Sequence, residues 1–432
     1  MRRAAGLALV AVGTAVAVLA LGSVARVGRG AEDRQTAAAS PVAARRADPA
    51  ALRERLRQVP GDDAAWAALG MAYVEQAKVS ANPQLYPKAE GALRRSLKLR
   101  PEDNYVAAAG MAALANARHD FAGARRWART GLAVNPANAS LYGTLVDAET
   151  QLGHYQEAWD ATQRMVDLSP DAASLARVSY SWELRGNLDE ARSLMQRALD
   201  QALGPAQQAF ARYQLGDLAL VAGDAHAALA QYEAGLAADP SYAALLEGRA
   251  RAELALGRSD DAVRDLGEAV ARLPQPGYVL LYGELLESLG RRRDASRQYE
   301  LFRTEQRLFE ANGVAVDVEA ALFEADHGDA GRAVAVADRG LRSRPFVEMQ
   351  DACAWALHKA GRDAEALEAS ARARSLGTRN ALFEFHAGMI ELALGHPDQA
   401  RAHLASALAA NPAFHPLHAT TARRALASLE GR

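Results

Sequence analysis

The chain has 432 residues, half of them hydrophobic but only 6% aromatic, so alanine and leucine supply most of the apolar side chains. Such a composition is typical of helices. The formal charge of −2, from 50 basic and 52 acidic residues, is too small to collect nucleic acid, which excludes that class of partner. Cys353 is the single cysteine, so an intrachain disulfide and a thiolate zinc site are excluded; we interpret it as a small core residue.

The first segment, residues 1 to 25, is predicted to be an export signal or an uncleaved membrane anchor. It opens with two arginines and then runs uncharged from Ala4 to Ala25. A helix of about 22 residues rises about 33 Å, enough to cross a hydrocarbon core of about 30 Å. The small residues Ser23 and Ala25 also permit cleavage after Ala25. Both alternatives place the rest of the chain outside the cytoplasmic membrane, anchored or secreted, and residues 26 to 48 predict a flexible linker.

A regular spacing of glycines follows. The intervals between successive glycines are 33, 37, 34, 33, 38, 33 and 34 residues, by subtraction of their numbers. An alanine stands five residues after each glycine, and a proline often follows twelve residues later. The glycines are Gly153, Gly186, Gly223, Gly257, Gly290, Gly328, Gly361 and Gly395. The alanines are Ala158, Ala191, Ala228, Ala262, Ala295, Ala333, Ala366 and Ala400, and the prolines Pro136, Pro170, Pro240, Pro274, Pro345 and Pro412.

One segment near the start carries further positions of the repeat. It reads Trp66-x-x-Leu69-Gly70-x-x-Tyr73, followed by Ala89 and Pro101. This segment resembles the signature of the tetratricopeptide repeat family, and the resemblance extends over almost everything downstream. It implies an all-α, right-handed solenoid of about ten helix pairs over residues 49–412. A capping helix is expected within residues 413–432, around Ala419 to Leu429, and Pro49 to Val59 reads as a half-repeat that caps the start.

The recurring residues have physical roles in such a pair. Glycine adopts the left-handed conformation that ends the first helix, alanine lets the second helix cross closely, and proline stops the second helix. Two stretches depart from the period. We expect Lys78 to Tyr86 to be an insertion between helices, and Arg303 to Val316 to be a longer helix with a kink or loop; both are interpreted as tolerated insertions rather than specialised sites.

The chemistry-bearing motifs point to binding rather than catalysis. Neither a nucleotide loop, nor a paired metal-ligand motif, nor a nucleophile elbow occurs, so we expect no enzyme activity and no cofactor. In the family that the chain resembles, ligands lie along the concave groove formed by the first helices. Transferring that arrangement gives Asp147, Tyr180, Glu183, Tyr213, Asp217, Glu247, Arg251, Glu284, Glu287, Asp351, Trp355 and His358. This largely acidic line with aromatic interruptions would suit a basic or amphipathic peptide, and the implied function is a protein-binding scaffold at the cell envelope.

Histidines near the end of the chain support a different hypothesis. His386, His396, His403, His415 and His418 fall within the last fifty residues. His415 and His418 are one turn apart if helical, and His396 and His403 two turns apart, which permits a weak metal site. Because no carboxylate stands at a matching spacing in the sequence, a metal-handling accessory protein is only the alternative hypothesis to the protein-binding scaffold.

Overall fold

The computed structural model describes residues 48–430. The predicted signal or anchor at residues 1 to 25 and all of the predicted linker before Asp48 lie outside the described residues. No helix within the described part combines the length and the apolar character that a membrane crossing requires.

The described residues form twenty-two α-helices and no strand. The first eleven are α1 Pro49–Gln58, α2 Asp63–Ser80, α3 Leu85–Leu99, α4 Tyr105–Ala117, α5 Phe121–Val134, α6 Ala139–Gln151, α7 Tyr155–Leu168, α8 Ala172–Leu184, α9 Leu188–Asp200, α10 Pro205–Val221 and α11 Ala225–Ala238. The others are α12 Ala243–Ala255, α13 Ser259–Arg272, α14 Pro276–Ser288, α15 Arg292–Ala311, α16 Asp317–His327, α17 Ala330–Ser343, α18 Val347–Lys359, α19 Asp363–Ala373, α20 Ala381–Ala393, α21 Pro397–Ala410 and α22 His418–Glu430.

Ten consecutive helix pairs, α2/α3 to α20/α21, stand between the single helices α1 and α22. The prediction of an all-α array of about ten pairs is confirmed. Many helices begin at a short polar side chain that accepts a hydrogen bond from a backbone N–H of the first turn, which satisfies a donor that the helix itself leaves unpaired. These residues are Asp62, Asn104, Asp120, Asn138, Asn187, Asp224, Asp329 and Asn380.

The glycine, alanine and proline positions largely have their predicted roles. Seven of the eight glycines adopt positive φ, between 71° and 79°, and all eight alanines are buried. Each of the six prolines lies two residues beyond the end of a second helix. Gly328 is the exception, with φ −128°, so a left-handed backbone does not account for the glycine there; an added Cβ would meet the flexible end of the Glu324 side chain. His119, at φ 61°, takes the left-handed turn position in an earlier pair, although it is not glycine.

Two compact units divide the described chain. Val178–Leu308 and the residues from Val316 onward form the larger unit, and the residues up to Arg177 together with Phe309–Ala315 form the smaller unit. The candidate residues fall almost entirely in the larger unit, whose first helices are α10, α12, α14, α16, α18 and α20. We call the side of the larger unit formed by these six helices the first-helix face.

One of the two predicted insertions needs correction. The first helix of the first pair continues through Ser80, so the break covers only residues 81–84, and Tyr86 is a buried residue of α3. The second stretch forms the end of a long helix, α15, of 20 residues, followed by a break at residues 312–316, as predicted. Within that break, Val314 packs in the core of the smaller unit and the Ala315 carbonyl oxygen lies 2.6 Å from His119 Nδ1.

Candidate partner-binding site

Residues one repeat apart on α10 and α12 contact each other. Tyr213 and Glu247 are 34 residues apart, and the Tyr213 hydroxyl lies 3.4 Å from Glu247 Oε2. Asp217 and Arg251 are also 34 residues apart, and Arg251 Nη2 donates to Asp217 Oδ1 at 2.5 Å. Arg251 Nε lies 2.7 Å from Glu247 Oε1, so one guanidinium contacts two carboxylates. The predicted alignment of first helices therefore brings these four residues together.

These four residues are not the open acidic surface that the sequence suggested. Glu247 is fully buried, and Tyr213, Asp217 and Arg251 each expose less than a tenth of their surface. Burial and the negative charge of Asp217 raise the pKa of Glu247 against the opposing effect of Arg251. The correction has a simple cause: the period identifies neighbouring side chains, but it does not say whether further atoms cover them.

Tyr232, on the second helix α11, completes this cluster and was missed by the sequence analysis. Its hydroxyl donates to Asp217 Oδ1 at 2.6 Å, and burial together with the charge of Asp217 raises its pKa well above the usual range. The ring packs against Gly216 and Gly248, where an added Cβ would collide with it. The sequence did contain a signal for the Tyr232 ring: Gly216 and Gly248 lie inside first helices, where no turn requires a glycine.

Asp147, in the smaller unit, also pairs with a residue of the same chain. Arg177 Nε and Nη2 donate to its two carboxylate oxygens at 2.9 and 2.8 Å, and both side chains are buried. Such a bidentate pair fixes both groups. Asp147 therefore neutralises an internal arginine rather than standing open to solvent.

Tyr180 and Glu183, on α8, are half-buried. Burial, followed by the negative charges of Asp217 and Glu348, raises the pKa of Glu183 to about 8. Glu348, at the start of α18, was missed by the sequence analysis, yet it is buried and its pKa is raised to about 7 by burial against the opposing charge of Arg344. Burial thus raises the pKa of two carboxyl groups, Glu183 on α8 and Glu348 on α18, into the neutral range.

A second cluster joins α14 and α16 to the C-terminal end of the chain. Glu284 Oε1 lies 3.2 Å from His327 Nε2, and Glu284 Oε2 lies 3.1 Å from His415 Nε2. Asp326 Oδ2 lies 3.1 Å from His418 Nε2. We call Glu284, Asp326, His327, His415 and His418 the acid–histidine cluster. Sequence analysis proposed Glu284 and the two C-terminal histidines for separate sites and missed Asp326 and His327.

The pKa values of the cluster show how strongly its members interact. Burial raises the pKa of Glu284, but the charges of His415 and His327 outweigh it and lower the value to about 2. The pKa of Asp326 is lowered below its usual range in the same way, chiefly by His418. Burial and repulsion by His415 lower the pKa of His418 to about 4.

Aromatic rings surround the acid–histidine cluster. His418 stacks on His415 with ring centroids 4.3 Å apart and on Phe385 at 4.8 Å. Trp355 stacks on His386 at 4.2 Å, and its Nε1 donates to Asp326 Oδ1 at 3.0 Å. The predicted residues Trp355 and Asp351 are therefore in place, but both are buried; Asp351 Oδ2 lies 2.9 Å from His386 Nδ1.

Glu287 and His358 keep part of their surface in solvent, as Tyr180 and Glu183 do. Glu287, on α14, has a side chain 40% exposed, and it accepts a hydrogen bond from the Tyr299 hydroxyl at 2.6 Å. His358, on α18, lies 2.5 Å from Asp363 through Nδ1 and is 16% exposed. Glu287 is therefore a solvent-accessible position of the first-helix face.

The histidines do not support the metal-handling alternative. Each has a carboxylate partner, contrary to the sequence analysis: His396 Nδ1 lies 2.6 Å from Glu391, and His403 Nδ1 lies 2.6 Å from Glu384. The two residues contact different acids, so they do not converge on one point. Among residues 48–430, no group of three or more His, Cys, Asp or Glu side chains is arranged to hold a metal ion. The interpretation of Cys353 as a core residue is confirmed, and burial raises its pKa to about 11.

Comparison with known proteins gives one family match. A model of the tetratricopeptide repeat matches residues 213–278, the segment that carries Tyr213, Asp217, Glu247 and Arg251. The predicted repeat type is confirmed for this segment. No curated protein matches the sequence.

Several solved structures are similar. The APC/C hetero-tetramer Cut9–Hcn1 shares 16% identity, with 87% of this chain and 81% of that chain covered and a TM-score of 0.44. The human IFIT1 dimer with PPP-AAAA shares 15% identity over 76% of this chain and 77% of that chain, with a TM-score of 0.48. A tetratricopeptide repeat protein from Parabacteroides merdae shares 18% identity over 60% and 98%, with a TM-score of 0.35.

Proposed function

We propose that the protein is a non-enzymatic scaffold that binds a partner protein or peptide on the first-helix face of the larger unit. The tetratricopeptide repeat over residues 213–278 supports this, because repeats of that type generally mediate protein–protein interactions. The helix pairs would wind as the right-handed superhelix that the repeat resemblance implies, and stacked pairs of this kind present extended binding surfaces.

One observation carries the proposal: the first-helix face already holds a peptide segment. The stretch between α21 and α22, together with the first residue of α22, brings His415 to Glu284 and His418 to Asp326, and Phe414 to within 5.6 Å of Phe385, measured between ring centroids. Carboxylates and an aromatic ring on α14, α16 and α20 thus accommodate histidine and aromatic side chains of this segment. A partner with a basic or amphipathic peptide fits the same chemistry.

The experiment is site-specific photo-crosslinking in cells that make the full-length protein. A benzophenone amino acid replaces Glu287, whose side chain is 40% exposed. The same amino acid at Glu368, on the second helix α19 and 79% exposed, is the matched control. We expect a discrete adduct from position 287 and none of that mass from position 368. Equal adducts at both positions, or none at 287, would contradict the proposal.

We also propose that the protein works at the cell envelope, held by residues 1 to 25 or released from them. The support is the arginine pair followed by an uncharged stretch from Ala4 to Ala25. Fractionation of cells that express the full chain, beside a version without residues 1–25, tests this. Recovery of both forms in the same cytoplasmic fraction would rule it out.

A further inference from the structure

The C-terminal segment from Asn411 to Glu430 buries Phe414, Ala419, Ala422 and Leu429, and polar contacts tie both of its ends to other helices. His415 reaches Glu284 on α14, and His418 reaches Asp326 on α16, each at 3.1 Å. At the far end of α22, Arg401 Nη2 on α21 donates to the Leu429 carbonyl oxygen at 3.0 Å. The acid–histidine cluster is therefore the main polar attachment at the start of this segment.

We propose that the segment 411–430 is an internal ligand of the first-helix face, and that acidification releases it by adding a proton to His418. The proposal rests on the function proposed above, since release would matter by uncovering Glu284, Asp326 and the ring of Trp355 for a partner.

The arrangement of rings disfavours a fully protonated cluster. The His415 and His418 rings are stacked 4.3 Å apart, and the His386 ring on α20 lies 5.9 Å from that of His418. The Lys359 ammonium on α18 already occupies Asp326 Oδ1 at 3.2 Å. Positive charges this close repel each other where water is scarce. Once the segment leaves, His418 takes up a proton in water without that repulsion, so acid favours the released form.

The remaining charged neighbours do not reverse this direction. The pKa of His327 is raised, because its carboxylate partners outweigh burial. Those partners, Glu284 and Glu287, both belong to α14, so His327 keeps them when the segment leaves. Glu284, with a pKa of about 2, stays ionised throughout the mildly acidic range. His418 is thus the group that links docking to pH.

The pKa values set the size of the effect. The pKa of His418 is about 4 in the docked state, against 6.5 for an unperturbed histidine, because burial and His415 both disfavour its charged form. Linkage then predicts that the opening constant of the segment rises about thirtyfold between pH 7.5 and pH 5.0 from this one residue.

The test is hydrogen–deuterium exchange of the full-length protein at pH 7.5 and 5.0, corrected for the intrinsic exchange rate. We expect opening of α22 to increase about thirtyfold in acid while α17 stays protected. His418→Phe keeps an aromatic ring against Phe385 but cannot be protonated, so its α22 should show no acid response. His396→Phe is the matched control, because it removes a histidine that is not in the cluster, and it should respond like the native chain.

A second variant covers the case in which His418→Phe does not fold. His415→Gln removes the neighbouring charge that lowers the pKa of His418, so the acid response of α22 should become smaller. An unchanged response in either variant, or opening of α22 and α17 together, would overturn the proposal. The exchange and crosslinking experiments can fail separately. If position 287 gives an adduct but the segment does not open in acid, the release mechanism alone is refuted. If the segment opens in acid but position 287 gives no adduct, partner binding alone is refuted.

Discussion

Asp217 and Arg251, one repeat apart in the chain, form a buried ion pair at 2.5 Å, and the same guanidinium contacts Glu247. The pair lies inside the segment that matches the tetratricopeptide repeat. A position that lines a ligand groove in the resembled family is here part of a closed polar cluster. The cluster therefore matters for stability, because the carboxylates of Asp217 and Glu247 both depend on Arg251 for a neutralising positive charge.

Replacing Arg251 by methionine should destabilise the larger unit by about 3 to 5 kcal/mol. The change leaves two buried carboxylates without a cation, and breaking a buried ion pair from one side costs about that much. Urea unfolding followed by circular dichroism measures it. Arg192→Met on α9, where the arginine side chain is 53% exposed, should leave the midpoint unchanged, and equal effects of the two variants would contradict the role of Arg251.

In the smaller unit, Arg177→Met should destabilise more than the double change Arg177→Met with Asp147→Leu. The single variant leaves Asp147 buried and charged, whereas the double variant replaces the whole pair by apolar groups. We expect a difference of about 2 kcal/mol or more in the free energy of unfolding, by the asymmetry between a broken and a replaced pair. If the free-energy costs of Arg177→Met and Asp147→Leu simply add in the double variant, the two residues are not coupled.

Close helix crossing makes the repeat alanines intolerant of larger side chains. Ala228→Leu and Ala400→Leu should each cost about 1 to 3 kcal/mol, because both alanines are fully buried between helices. Thermal unfolding checks this. Ala230→Leu, on the exposed side of α11, should have little effect, and native-like melting of both buried variants would refute the proposed helix crossing.

Glu348 should make the larger unit less stable as the pH rises. Its pKa in the folded chain is about 7, raised by burial, against 4.5 for an ordinary glutamic acid. Between these values the native state binds more protons than the unfolded state, so the free energy of unfolding falls with rising pH. The fall is at most about 3 kcal/mol for this group.

The comparison is global urea unfolding of the native protein and of Glu348→Gln at pH 5 and pH 8. The variant cannot release a proton at this position, so its stability should fall less over that range. Glu368→Gln, at an exposed position, should keep the native pH dependence. This global effect has the opposite sign to the local acid release of α22, so the two are separable. A variant that loses stability as steeply as the native chain would assign the dependence to other groups.

The helix pairs, their period and their contact positions could be predicted from the sequence alone. Gly153, Ala228 and Pro240 act through short-range physics: a left-handed turn, a close crossing and a missing amide donor operate within a few residues of the chain. The same period placed Asp217 beside Arg251, because stacking equivalent helices brings residues one repeat apart together.

The atoms that cover those residues could be identified only from the folded chain. Glu284 meets His415, and Asp326 meets His418 at a separation of 92 residues, pairings that no period encodes. His119 shows the same limit at short range, since a left-handed turn without glycine leaves no pattern to recognise. Burial and pKa depend on everything that surrounds a group, including segments distant in the chain, so the sequence located the first-helix face but could not show that the C-terminal segment occupies it.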